Sequence, residues 1–122
     1  MKRWLVGILA VSLIWPWPAI ALDLQGLYEQ ALNASRSGDF VQALPLWDRV
    51  LEQSPRDAAA LSNRGNVRLA LGDLDGAIED QTLSIALAPE EADPHLNRGT
   101  AEEALQDWPA AAADYLWILE RQ

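Results

Sequence analysis

Apolar residues recur along this chain at the three- and four-residue spacing of helices that turn one face inward. Leu44, Trp47, Val50 and Leu51 set that pattern in one stretch. Punctuation between the helical stretches is regular. Gly38 and Gly72 stand where a helix must end, directly before Asp39 and Asp73. Those two aspartates and Asp107 each precede an apolar residue, so they read as N-caps. Pro94 and Pro109 fall in first turns, where a missing N–H does no harm. Pro45 falls deeper and costs its helix one backbone hydrogen bond. The pattern predicts six helices of about three turns each, at roughly 24–37, 40–53, 58–71, 74–87, 92–105 and 108–121.

The helices come in pairs, because the chain repeats itself at one fixed interval. Pro55 and Pro89 are 34 positions apart, as are Asn63 and Asn97, Arg64 and Arg98, and Gly65 and Gly99. Ala43, Ala77 and Ala111 form a triple at the same interval, as do Asp39, Asp73 and Asp107. Phe40, Leu74 and Trp108 are another, and Leu51, Ile85 and Leu119 a fourth. The repeats are therefore 24–57, 58–91 and 92–122, within a domain of residues 22–122.

This period and these residue types resemble the tetratricopeptide repeat. Leu27, Ala31, Ala43, Trp47 and Pro55 fit its pattern in the first repeat. Leu61, Gly65, Ala77 and Pro89 fit in the second, where Gln81 replaces an aromatic residue. Gly99, Ala111 and Tyr115 fit in the third, where His95 replaces an apolar one. The resemblance implies an all-α fold: a right-handed α-solenoid of three helix–turn–helix repeats, six antiparallel helices in all. The small residues Ala31, Gly65 and Gly99 are expected to face Ala43, Ala77 and Ala111 and so bring each helix pair close.

The first 21 residues read differently. Lys2 and Arg3 precede an apolar run from Trp4 to Trp15, then Pro16-Trp17-Pro18 and the small-residue site Ala19-Ile20-Ala21. Those are the regions of a secretory signal peptide in order, with cleavage expected after Ala21. An uncleaved membrane anchor is the alternative, since the run approaches the roughly 20 residues that span a bilayer. Export to a periplasm or to the outside follows, or to a thylakoid lumen in a photosynthetic source.

The formal net charge is −9, and losing the leader, with two of the nine basic residues and no acid, takes it to −11. Such a surface opposes nucleic acid and anionic lipid, so no membrane contact is expected once the leader is gone. The chain has no cysteine, which removes disulfides and thiolate chemistry together.

Candidate chemistry is sparse, and no enzymatic role, cofactor or metal is expected. A lone histidine, His95, has no helical-spacing partner for a metal and reads as a packing residue. Asp73-Leu74-Asp75-Gly76 lacks the remaining ligands of a calcium loop. Arg64 and Arg98 are expected to pack their stems along the helix seam and reach a neighbouring acid.

A protein or peptide partner is the expected ligand. The first helix of each pair lines the concave side of such a solenoid. Carried over by position, the resemblance implies a groove of Gln25, Tyr28, Leu32, Ser35 and Arg36 in the first repeat, and Ala59, Ser62, Asn63, Asn66, Leu69 and Ala70 in the second. In the third it implies Asp93, Leu96, Asn97, Thr100, Glu103 and Ala104. Asn63, Asn66 and Asn97 are the strongest candidates, because an amide both donates and accepts along an extended backbone. Family members that grip a C-terminal carboxylate use several Lys and Arg, and this groove offers only Arg36, so chaperone tails are not expected. The last helix carries Leu116 and Trp117 with no helix after them. That face is expected to dock on a partner or a second copy, or to continue into further repeats of a longer array.

Overall fold

The computed structural model describes the backbone of residues 17–122 and the side chains from residue 23 onward. Six helices account for it: α1 Trp17–Arg36, α2 Phe40–Gln53, α3 Ala58–Ala70, α4 Leu74–Leu87, α5 Ala92–Ala104 and α6 Trp108–Leu119. Five begin where the sequence pattern puts them. The exception is α1, which starts seven residues before the expected Leu24 and runs unbroken through Ala21. Pro18 sits in its first turn, where proline is harmless, and no breaker follows it before Gly26. Residues 1–16 of the expected leader lie outside the described residues. No described helix is long and apolar enough to cross a membrane.

The turns behave as the sequence dictates. Asp39, Asp73 and Asp107 accept hydrogen bonds from the backbone N–H groups of Gln42, Gly76 and Ala110. Asp57 does the same for Ala60 at the head of α3, a cap that the repeat triples do not contain. Gly38 and Gly72 take positive φ angles of 77° and 84°, which a glycine does without steric cost. At the third such corner the residue is Gln106, with φ 62°.

Each helix packs on its neighbour in sequence, α1 on α2 through to α5 on α6. The first helices of successive repeats also touch, α1 with α3 and α3 with α5, whereas α2, α4 and α6 do not touch one another. The stack therefore curves, with α1, α3 and α5 on its inner side.

Within the second and third pairs, a larger side chain packs directly on the glycine. A Cβ added to Gly65 would fall 2.6 Å from Nε2 of Gln81, and one added to Gly99 would fall 2.6 Å from Cε1 of Tyr115. The nearest side chains to the two glycines are therefore Gln81 and Tyr115. Each of these larger side chains lies about one helical turn beyond the expected alanine. It fills the space that the glycine leaves, as a close-packed seam requires.

Candidate functional site

The inner face is built from the α1, α3 and α5 side chains, and two depressions mark it. One is lined by Ala58, Ala59, Ser62 and Asn63 of α3, by Ser84 and Ala88, and by Glu91, Asp93 and Pro94 at the head of α5. The other is lined by Leu24, Gln25, Tyr28 and Glu29 of α1 and by Asp57. Asp57 and Ala58 are consecutive, so the two depressions adjoin at the start of α3. Among the described residues, their linings hold four carboxylates, Glu29, Asp57, Glu91 and Asp93, and no basic residue.

Tyr28 stands at this junction. Its ring packs edge-on against Trp47, with centroids 5.0 Å apart. Burial raises its phenol above the ordinary value, Asp57 adds to the rise, and the side chain of Asn63 opposes it. Tyr28 and Asn63 are thus neighbours across the α1–α3 seam. Ser84 donates to the carbonyl of Ala58 at 2.8 Å, which ties the end of α4 to the floor.

Of the expected groove residues, Gln25, Tyr28, Ala59, Ser62, Asn63 and Asp93 line these depressions. Asn66, exposed on α3, lies outside both linings, and its Oδ1 accepts from Gln81 Nε2 at 3.1 Å. Thr100 donates to the carbonyl of Leu96 in its own helix. Leu32, Ser35, Arg36, Leu69, Ala70, Leu96, Asn97, Glu103 and Ala104 lie outside both linings, and Ser35 and Glu103 accept instead from Trp47 Nε1 and the Tyr115 hydroxyl. Leu24, Glu29, Asp57, Ala58, Ser84, Ala88, Glu91 and Pro94 are the additions, and the signal for Asp57 and Glu91 in the sequence is their place at helix starts.

Arg64 and Arg98 are occupied in the seams. Arg64 grips Asp80 through Nε and Nη2, at 2.9 and 2.8 Å, and donates from Nη1 to Asp48. Arg98 grips Asp114 in the same way, at 2.7 and 2.8 Å, and its Nη1 reaches Thr82. Hydrogen bonding to these carboxylates raises both guanidinium pKa values against the cost of burial. Asp80 and Asp114 are themselves 34 apart, a coincidence in the period that points to the pairing.

His95 is buried, with Nδ1 2.8 Å from Asp114 Oδ1. Its ring stacks on Trp117 at 3.8 Å, and Arg121 covers the Trp117 ring at 3.9 Å. Trp117 is therefore turned toward α5 and half-buried, and it is not part of the outer docking face expected of it. Leu116, one residue and about 100° earlier on the helix, is the outward residue. Among the described residues no group of three or more His, Cys, Asp or Glu side chains could hold a metal ion.

A family model described as tetratricopeptide repeat matches residues 28–92. The human mitochondrial import receptor subunit TOM34 is 33% identical over 93 residues, covering 70% of this chain and 30% of its own length. The chain thus spans under a third of that relative. The solved first tetratricopeptide domain of Spaghetti (RPAP3), bound to the HSP90 peptide SRMEEVD, is 25% identical with a TM-score of 0.76, covering 80% of this chain and 77% of its own. MamA from Desulfovibrio magneticus RS-1 shares the fold, with a TM-score of 0.77 at 24% identity, over 80% of this chain and 55% of its own. On the matched residues and the repeated helix pairs, the chain belongs to the tetratricopeptide repeat family.

Proposed function

We propose that this chain is a non-enzymatic interaction scaffold, an adaptor or assembly factor, whose inner face holds an extended segment of another protein. The segment it favours is cationic or neutral. The observation that carries this reading is the pair of adjoining depressions, rimmed by Glu29, Asp57, Glu91 and Asp93 with no basic residue in either lining among the described residues. Ala58, Ala59 and Pro94 give an apolar floor for aliphatic stems. Asn63 can donate to and accept from a peptide backbone whatever its side chains. Carboxylates on the rim favour Lys or Arg and repel an acidic tail. The RPAP3 domain of similar fold was solved with an acidic peptide, so the two grooves would differ in charge preference.

Selection from a displayed peptide library tests this. The expected winners carry Lys or Arg and lose at least about tenfold in affinity when Asn63→Ala and Asp93→Asn are combined. Winners rich in Asp and Glu would refute the reading. The leader pattern supports an exported scaffold, in a periplasm, outside the cell or in a thylakoid lumen. Fractionation of the source cells should place the chain beyond the first membrane, and a cytosolic pool alone would speak against export.

A further inference from the structure

One apolar stripe is left over by the groove and by the seams. Trp108, Ala112, Leu116 and Leu119 follow one another at helical spacing along the outer side of α6. Trp108 is 58% exposed, Leu116 55% and Leu119 62%, and Ala112 is exposed too. The stripe runs for about 16 Å. It holds no charged side chain, in a chain whose net charge is −9.

The repeat period shows what this register does elsewhere. The equivalent residues of α2 are Phe40, Leu44, Asp48 and Leu51, all buried or half-buried. The next helix covers them: Arg64 of α3 donates to Asp48, and Leu51 belongs to the same core as Ala60 and Leu61. In α4 the equivalent of Asp48 is Thr82, and Arg98 of α5 donates to it. In α6 that position is Leu116. The polar acceptor that receives the arginine of a following repeat is gone, and an apolar side chain stands in its place.

We propose that this stripe is the contact through which two copies of the chain pair, α6 against α6, antiparallel about a two-fold axis. The stripe is self-complementary in that arrangement. Trp108 of one copy lies level with Leu119 of the other, and the small Ala112 lies level with the larger Leu116. The ends match in charge as well. Asp107 precedes α6 and Arg121 follows it, so antiparallel pairing brings Arg121 of each copy to the same end as Asp107 of the other, although Glu120 offsets part of that gain and Arg121 would have to leave the Trp117 ring to reach it. Antiparallel helix dipoles also attract. The like charge of the two chains opposes contact elsewhere and leaves this neutral stripe as the favoured approach. The contact is independent of the groove.

Sedimentation of the full chain over about a hundredfold range of concentration tests the pairing. The wild type should form a dimer that dissociates on dilution. Leu116→Glu should weaken it at least about tenfold while leaving helix content unchanged, because Leu116 is exposed within each copy. The register has its own test, since the chain has no cysteine. Mixed Ala112→Cys and Leu116→Cys chains should form the mixed disulfide faster than either forms a disulfide with itself. A wild type that stays monomeric throughout, or a dimer that survives Leu116→Glu unchanged, would overturn the proposal. So would equal rates for the three disulfides.

Discussion

The first helix pair and the last are built on one backbone plan with opposite chemistry. Between α1 and α2 the seam is Leu27, Ala31, Ala43, Trp47 and Val50, and all five are buried and apolar apart from the indole N–H. That N–H donates to Ser35 at 2.9 Å. Between α5 and α6 the buried residues include His95, Glu102 and Asp114. Position by position, Leu27 becomes His95, Trp47 becomes Tyr115 and Leu46 becomes Asp114. The middle pair lies between these extremes, with Asp80, Gln81 and Ser84 buried. The fold therefore needs helix pairs of a given separation, not of a given polarity. An apolar seam is driven by area removed from water. An ionic seam adds little net stability, but a bidentate Arg–Asp pair admits few alignments of its two helices.

The largest expected effects separate the two kinds of seam. Trp47→Ala should cost about 3–5 kcal/mol, as a cavity in an apolar core. Asp80→Ala should cost about 3 kcal/mol for a different reason, since Asp80 serves both Arg64 and Arg68 and its loss leaves them only the more exposed Asp48 and Asp73. That is the low end for a broken buried pair, because both arginines keep some contact with water. Replacing Arg64 and Asp80 together by Leu should recover a good part of the loss. Urea unfolding of the wild type and these three variants measures both effects, and a double variant as unstable as Asp80→Ala would sink the distinction.

A smaller effect belongs to pH. Burial, and then the charge of Asp114, push Glu102 up to about 7 from its ordinary 4.5. Arg98 faces it from α5, and Asp114 and Asp107 from the α6 side. Its folded pKa is raised, so its contribution is fully present below about pH 4.5 and is lost as pH rises through about 7. Burial works to raise Asp114 too, but hydrogen bonds from Arg98 and His95 outweigh it and hold that carboxyl below its usual range. The contribution of Asp114 is present above its ordinary 3.8 and is lost as pH falls through its lower folded value. Glu102→Gln should therefore raise stability at neutral pH, by on the order of 1–2 kcal/mol, and flatten the slope from about pH 5 to 7. Tm measured across that range checks it, and an unchanged slope would remove Glu102 as its source.

The smallest effect is a gain. Gln106 holds a left-handed φ where Gly38 and Gly72 stand in the other repeats. Gln106→Gly should stabilise the chain by about 1 kcal/mol, read as a rise in Tm.

Much of this is legible in the sequence because the period repeats every constraint. Three aspartates in phase identify the caps, and two arginines in phase imply buried partners. What the period does not carry is rotation about a helix axis. Leu116 and Trp117 are adjacent and both apolar, so spacing alone does not say which turns outward. Asn63 and Asn66 lie on neighbouring turns, and Gln81 engages only the second, through its amide oxygen. The early start of α1 is hidden because the leader pattern and a helix-forming sequence overlap there.

The charge preference of the inner groove is tested most directly by one titration. The full chain would be titrated with SRMEEVD and with SRMKKVK, in which each acid is replaced by Lys, both amidated at the C-terminus. The basic peptide should bind, with an affinity that falls with salt and with Asp93→Asn, and the acidic one should bind at least about tenfold more weakly. Tighter binding of SRMEEVD would contradict a groove selective for cationic segments.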